Sequence, residues 1–306
     1  MVIRLSTVLV VGAGASAPYG MPTGAGLRDQ VLRSIGSLWL VSEDGRLPSS
    51  EIEQFKTDLS TSGFASVDAF LEWRPKWAEV GKTAMAAVLL AGEQRARQEL
   101  FPPHGRVRDR WLEALWSRIG APTWKEVVQR PLGIVTFNYD RLVEHYLCSV
   151  AKTRFGVEPA TVLKWCPVVH VHGSLGHYDS RLLNTVRPGS AEIADAARAI
   201  KIVHETGDGE PQVEIARRLV DDAHRVLFLG FGYNPTNLAR IGISPETNAK
   251  RLPPHHGAHP RQFVAGTHRG IERSAWRKIC SRFGFWENAD RLPGARLSDF
   301  VQRWLD

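Results

Sequence analysis

Apolar positions along this chain fall into two kinds of pattern. Short, unbroken runs rich in β-branched residues occur at Thr7 to Val11, Gly133 to Phe137, Val168 to Val171, Val226 to Leu229 and Gln262 to Ala265. Each has the length of a strand, and apolar residues at successive positions predict burial on both faces, as in the centre of a parallel sheet. Elsewhere the apolar residues return at helical spacing. Leu142, Val143, Tyr146, Leu147 and Val150 mark a helix directly behind the second run, and Ile215, Ala216, Leu219, Val220 and Ala223 mark an amphipathic one. Between the first and second runs, over about residues 27–130, lies a mostly helical stretch rich in Leu and Trp. It is broken by Gly and Pro near 45–48, 75, 102–105 and 120–122, and Thr83 to Leu90 reads as a short buried helix within it. This stretch predicts an inserted helical lobe with its own packing. Residues 176–210 are mixed and polar, and 241–261 form a long loop with Pro, His and Asn. Strands that alternate with helices, with glycine or polar residues just past the strand ends, predict a doubly wound parallel α/β sheet, Rossmann-like, as a single domain over residues 1–306. Its ligand is expected beyond the carboxyl ends of the strands.

Composition and charge alter this picture little. A chain that is 43% hydrophobic and 23% charged is ordinarily globular, which sets disorder aside. The net charge of +7 suits anionic ligands. The basic residues are scattered, in clusters as short as Arg106, Arg108 and Arg110, and read as a solvated face rather than a nucleic-acid stripe. Cys148, Cys166 and Cys280 form no C-x-x-C pair, so neither a zinc ribbon nor a disulfide framework is predicted. His255, His256 and His259 sit in a Pro-rich loop without nearby cysteines, and no metal is expected there. The tryptophans read as packing residues. Arg4, the run Val8 to Val11 and the small residues Ala15 to Ala17 imitate a signal peptide. The same run reads as the first strand, and cleavage after Ala17 would delete the best motif in the chain. No apolar stretch approaches the ~18 residues that cross a membrane. A soluble, cytoplasmic protein is expected.

The best motif is Gly12-Ala13-Gly14-Ala15-Ser16-Ala17, which satisfies G-x-G-x-x-G/A directly after a predicted strand. Small residues there let the backbone turn tightly and approach a pyrophosphate, whose charge the amides and a helix N-terminus stabilise. The bland alternative is a tight turn with no ligand. A dehydrogenase is a further alternative, with Glu43 and Asp44 after the apolar Leu38 to Val41 as its ribose-binding acids. Against it, Pro18, Gly20 and Pro22 crowd the place where a dehydrogenase starts a regular helix.

Four segments, taken together, resemble a known family. Gly12-Ala13-Gly14-Ala15-Ser16 followed by Gly20-Met21-Pro22 resembles the sirtuin opening G-A-G-x-S and G-I-P. Thr136-Phe137-Asn138-Tyr139-Asp140 resembles the sirtuin T-Q-N-I-D. His172-Gly173-Ser174 resembles the histidine-glycine that carries the sirtuin base, and Gly230-Phe231-Gly232 resembles the later G-T-S. The segments stand in the family's order, each just past a predicted strand, over roughly residues 8–270. Departures are equally visible. Thr23-Gly24-Ala25-Gly26 replaces the family's Phe-Arg, Phe137 replaces its glutamine, and the four zinc cysteines of protein deacetylases are missing. The chain is therefore more similar to the divergent bacterial sirtuin-like proteins, many of which hydrolyse NAD⁺ in anti-phage defence.

The resemblance implies NAD⁺ as substrate, no zinc, and cleavage of the nicotinamide–ribose bond to nicotinamide and ADP-ribose. It implies His172 as general base, with His170 two residues earlier on the same strand face as a weaker alternative. It implies Asn138 as the holder of water and ribose, against a reading as cap of the following helix. Asp140 would contact the nicotinamide carboxamide, or else serve that helix through its dipole. Gly12, Ala13, Gly14, Ser16 and Pro22 would line the phosphate and nicotinamide pockets, with Gly173 beside the base and Gly230 and Gly232 against the adenosine ribose. Protein deacylation, ADP-ribosyl transfer and non-catalytic nucleotide sensing are the competing functions. Restraint of a toxic activity further implies assembly, as a homo-oligomer or with a separately encoded partner such as a motor ATPase.

Overall fold

Thr7–Val11 forms strand β1, and all five of its side chains are buried. A computed structural model describes residues 5–37, 41–42, 45–101, 109–178, 190–202, 205, 209–247, 262–286 and 296–305. Arg4, Leu38, Glu43, Asp44, Arg106, Arg108, His255, His256 and His259 lie outside the described residues. The other strands of the main sheet are β2 (Leu132–Thr136), β3 (Val168–His170), β4 (Arg225–Leu229) and β5 (Phe263–Gly266). All pair in parallel, in the order β3-β2-β1-β4-β5. Val41–Ser42 and Gly45–Arg46 make a separate short antiparallel pair.

Side chains alternate across each strand, so the sheet has two buried faces. Leu9, Val11, Ile134, Leu227 and Leu229 point into one core. Val8, Val10, Val135, Val226 and Phe228 point into the other. The helices between β1 and β2 cover the first face: α1 (Gly24–Ser34), α2 (Ser49–Thr61), α3 (Val67–Trp73), α4 (Ala78–Leu100) and α5 (Trp111–Ile119). They share it with α6 (Leu142–Phe155), α7 (Ser190–Ala199) and, after the last strand, the C-terminal Leu297–Trp304. The second face is covered by α8 (Pro211–Asp222), α9 (Pro235–Arg240) and α10 (Arg273–Phe283), through Val213, Ala216, Leu238, Trp276 and Phe283. Helices on both faces of an all-parallel sheet in this order make the fold Rossmann-like. No helix among the described residues is long and apolar enough to cross a membrane.

The lobe between β1 and β2 does not pack by itself. Phe55, Phe70, Met85 and Trp111 belong to the same continuous core as Leu9 and Ile134. Helices alone bury one stripe each, and here those stripes meet over the sheet. The segment Thr83 to Leu90 is part of the 23-residue α4, which runs through Gly81 and Gly92. A methyl group at Gly81 would stand 2.6 Å from Leu71, so close packing, and no break, explains that glycine. Strand β3 ends at His170, one residue short of the predicted run, because the chain turns through Val171 and His172 into Gly173 at φ +75°. That turn sends His170 and His172 to different faces, where simple alternation predicts one.

From β1 the chain steps outward to β2 and β3, then returns to β4 and β5 on the other side. The loops after β1 and β4 therefore diverge at the strand-order switch point. They are locked there by glycine. Gly12 N donates to Leu229 O and Gly14 N to Gly230 O, at 3.0 and 2.9 Å. A Cβ on Gly12 would lie 2.6 Å from Gly230 O, and a Cβ on Gly230 would lie 2.1 Å from Ala15 N. Gly230 also needs its φ of +58°. Gly232, two residues on, has open space around it. Gly230→Ala is expected to cost about 2–4 kcal/mol through overlap and backbone strain, and Gly232→Ala less than about 0.5 kcal/mol. Urea midpoints of the two variants check this; equal losses would mean that the two loops do not lock in this way.

Candidate functional site

A cleft of about 850 Å³ opens over the carboxyl ends of β1, β4 and β5. One wall is the first loop and the start of α1, with Ala13, Gly14, Ala17, Pro18, Thr23 and Gly24. The opposite wall is Gly230, Phe231 and Gly232 with Thr267, Arg269, Gly270 and Ile271. Asp109 and Leu297 close one end. Ala13–Ser16 makes a single α turn and Ala17–Tyr19 a 3₁₀ turn, before Gly20 reverses the chain at φ +93°. The prolines and Gly20 thus prevent the long helix of a dehydrogenase, as the sequence predicts. The far wall is tied down by Thr267, whose hydroxyl accepts from Gly230 N at 2.9 Å. Its carbonyl accepts from the Tyr233 hydroxyl at 2.7 Å. Tyr233 holds a positive φ of 54°, rare for a residue with a side chain.

The first loop also faces away from the cleft, toward a buried polar network. Asn138, on the loop after β2, donates from Nδ2 to Gly12 O at 3.1 Å and to Ser16 Oγ at 3.0 Å. Ser16 Oγ in turn donates to Asp140 Oδ1 at 3.1 Å. Gly12 O can only accept, so the amide nitrogen must face it and Oδ1 must point the other way. Oδ1 is buried and has no hydrogen-bond partner among the described residues. An acceptor left in this state costs about 1–3 kcal/mol. Asn138 is not the cap of α6, since Arg141 holds that position, and Asp140 Oδ1 accepts from Leu142 N at 3.3 Å instead.

Charge is concentrated beneath this network. Glu93, from the middle of α4, takes Arg141 Nε and Nη2 at 3.2 and 2.7 Å, Arg141 N at 2.6 Å and Arg97 Nη2 at 3.2 Å. Burial works against its charge, but His145 at 3.9 Å and Arg141 outweigh it and hold the carboxyl well below the usual carboxylate range. Asp140 goes the opposite way. Burial, with the negative Glu93 nearby, pushes it up to about 7, against smaller opposing contributions from Ser16 and the Leu142 amide. A second lobe residue, Asp68, accepts from the Tyr139 hydroxyl at 2.7 Å. Tyr139 and Arg141 flank Asp140, so the lobe grips the site segment at two points.

His172 stands apart from the network in its packing. Its ring meets Phe137 edge to face at 5.4 Å, and Nε2 lies 3.4 Å from Asn237 Oδ1 on α9. Burial and the Arg240 charge push it down to about 4, so it is neutral at physiological pH. Gly173 beside it cannot carry a side chain, because a Cβ would overlap Ala199 O at the end of α7. Pro22 packs near Gly92 of α4 and does not line the cleft. Among the described residues, then, Ala13, Gly14, Gly230 and Gly232 line the cleft. Gly12, Ser16, Asn138 and Asp140 meet behind the first loop. Gly12, Gly14, Gly173 and Gly230 all have packing reasons to be glycine. No group of three or more His, Cys, Asp or Glu suited to a metal ion exists among the described residues.

The sequence reading missed Glu93, Arg141 and Thr267. A signal existed for the first two: Glu144 and His145 stand among the apolar residues of the first turns of α6, directly after Arg141, and Glu93 follows directly on the apolar run of α4. Isolated charges in buried helices are seldom unpaired. Compared with known proteins, the chain matches no family model and no curated protein.

Asp140 titrates at about 7 in the folded chain against 3.8 for an exposed aspartate. The native state therefore holds the extra proton between these values, and stability from this group falls as pH rises from about 4 through 7. Asp140→Asn removes that dependence. Its urea midpoint is expected to exceed that of the unaltered protein at about pH 8 and to converge with it at about pH 4. A constant gap at both pH values would mean that folding leaves the Asp140 carboxyl at its ordinary value.

Proposed function

We propose that this protein is a sirtuin-like NAD⁺ glycohydrolase, which breaks the nicotinamide–ribose bond and releases nicotinamide and ADP-ribose. The observation that carries this reading is the buried, unpartnered Asn138 Oδ1. It is an acceptor, so the group that completes it must donate a hydrogen bond, as a water molecule and a ribose hydroxyl both do. A ribose and a water are what the hydrolysis has to hold together.

On this reading the pyrophosphate lies in the cleft against Ala13 and Gly14. The adenosine extends along Gly232 toward Thr267 and Arg269, and the nicotinamide ribose reaches Asn138 past the turn at Gly12–Ser16. The amides of Gly12 and Gly14 are already engaged by Leu229 and Gly230. Phosphate recognition therefore falls to the other groups on the cleft wall, including the exposed Arg269. In the reaction the C1′–N bond breaks and its electron pair passes to the nicotinamide ring. Positive charge builds on the ribose, and water oxygen closes the new bond to C1′ while its proton leaves to a base. A polar, water-poor site stabilises such charge by fixed dipoles. His172 is neutral and can accept the proton, and Asn138 orients the water. The resemblance also extends the reading to anti-phage defence by NAD⁺ depletion, with activity restrained by assembly or by a separate partner.

Purified protein given NAD⁺ alone is expected to release nicotinamide and ADP-ribose. His172→Ala and Asn138→Ala are each expected to lower kcat/KM by about 10²-fold or more. Binding of NAD⁺ without cleavage would sink the hydrolase reading in favour of a sensor. Cleavage that requires an acylated peptide would make the protein a deacylase.

A further inference from the structure

His170 sits at the end of β3 with its ring nearly enclosed, and both ring nitrogens are engaged. Nδ1 lies 2.8 Å from the backbone carbonyl of Asn138, and Nε2 lies 2.7 Å from Glu144 Oε1 on α6. A carbonyl oxygen can only accept, so Nδ1 must carry hydrogen. The neutral ring with its hydrogen on Nδ1 would turn a lone pair toward Glu144. The neutral ring with its hydrogen on Nε2 would turn one toward the Asn138 carbonyl. With an ionised Glu144, both short contacts are satisfied at once only by the doubly protonated ring.

We infer that His170 is a positioning residue: a protonated clamp, paired with Glu144, that fixes the backbone of Asn138 so that its side-chain oxygen stays aimed at the ligand. This rests on the reading of Asn138 as the residue that holds water and ribose. The backbone of Asn138 is then held at both polar atoms, since its N–H donates to Thr136 Oγ1 at 3.0 Å. Its side-chain nitrogen is held by Gly12 and Ser16. Only Oδ1 remains to engage another molecule.

The titratable groups facing His170 are carboxyls: Glu144 from α6 and Asp140 from the loop after β2. The nearby thiols of Cys148 and Cys166 are driven up by burial, Cys148 to about 12, and stay neutral. Burial of the ring opposes its charge, but Glu144 and the Asn138 carbonyl outweigh it, and the histidine is raised above its ordinary value. The sign of the pH dependence follows. The clamp is complete at low and neutral pH and is lost as pH rises through the raised value of His170.

Nitrogen NMR of the protein with ¹⁵N-labelled histidine tests this, the His170 signals being assigned by their loss in His170→Gln. Both ring nitrogens are expected to be protonated at neutral pH, with deprotonation only in alkaline solution. Glu144→Gln is expected to lower the pH of that transition by about one to three units. The alkaline limb of the NAD⁺ cleavage profile is expected to move down with it. An unprotonated ring nitrogen at neutral pH in the unaltered protein would overturn the inference, and so would a transition that Glu144→Gln leaves in place. The NMR result stands whether or not NAD⁺ is cleaved, so failure of the clamp is distinguishable from failure of the hydrolase reading.

Discussion

Two loops pass each other at the strand-order switch point with no room for a side chain between them. Gly12 and Gly14 on the loop after β1 meet Gly230 on the loop after β4, backbone against backbone. Everything around the candidate site depends on that contact. It sets the floor of the cleft, because the two walls start from the two crossing loops. It also turns the Gly12 carbonyl toward Asn138 and places the Ser16 hydroxyl between Asn138 and Asp140. The contact is pinned from outside by Thr267, just past the end of the next strand, and by Trp111, whose indole N–H donates to Ala15 O at 2.7 Å. The cost of fixing glycine, which has the most conformational freedom to lose, is offset by these hydrogen bonds and by the packing on either side.

The helical lobe acts on the same site from below. Glu93 and Asp68 reach across from α4 and α3 to Arg141 and Tyr139, the two neighbours of Asp140. A buried ion pair is weak evidence of added stability, because two charges must leave water to form it. Its effect here is on placement and charge. The Glu93 carboxylate fixes the main chain through Arg141 N, and its field helps to keep Asp140 protonated near neutrality. A lobe that shares the core of the sheet can hold the site segment to within a hydrogen bond; a lobe packed only on itself could not.

Much of the architecture was legible in the order of residues. Buried strands announce themselves as unbroken β-branched runs, and Thr7–Val11 appears at the predicted bounds while the others shift by a residue or so. Gly20 and the prolines around it argue against a long helix after the first loop, and the structure has two short turns there. The gathering of Ser16, Asn138 and Asp140 was legible only as two motifs near strand ends. The lobe was misread as self-contained, since a helical pattern says which stripe is apolar and not what the stripe faces. His170 and His172 were assigned to one face by alternation, and the turn at Gly173 separates them.

By itself the sequence determined the parallel sheet, the alternation of strands with helices and the places where loops must be tight. These follow from local sterics and from periodicity, which each segment carries within itself. Only the tertiary structure decided which glycines serve packing, which buried charges pair, and which atom of Asn138 is left over. Those outcomes depend on contacts between residues more than a hundred positions apart, such as Asn138 with Gly12 or Gly230 with Gly14. No local pattern encodes a distance across the sheet, so the chemistry of the site appears only when the chain has closed on itself.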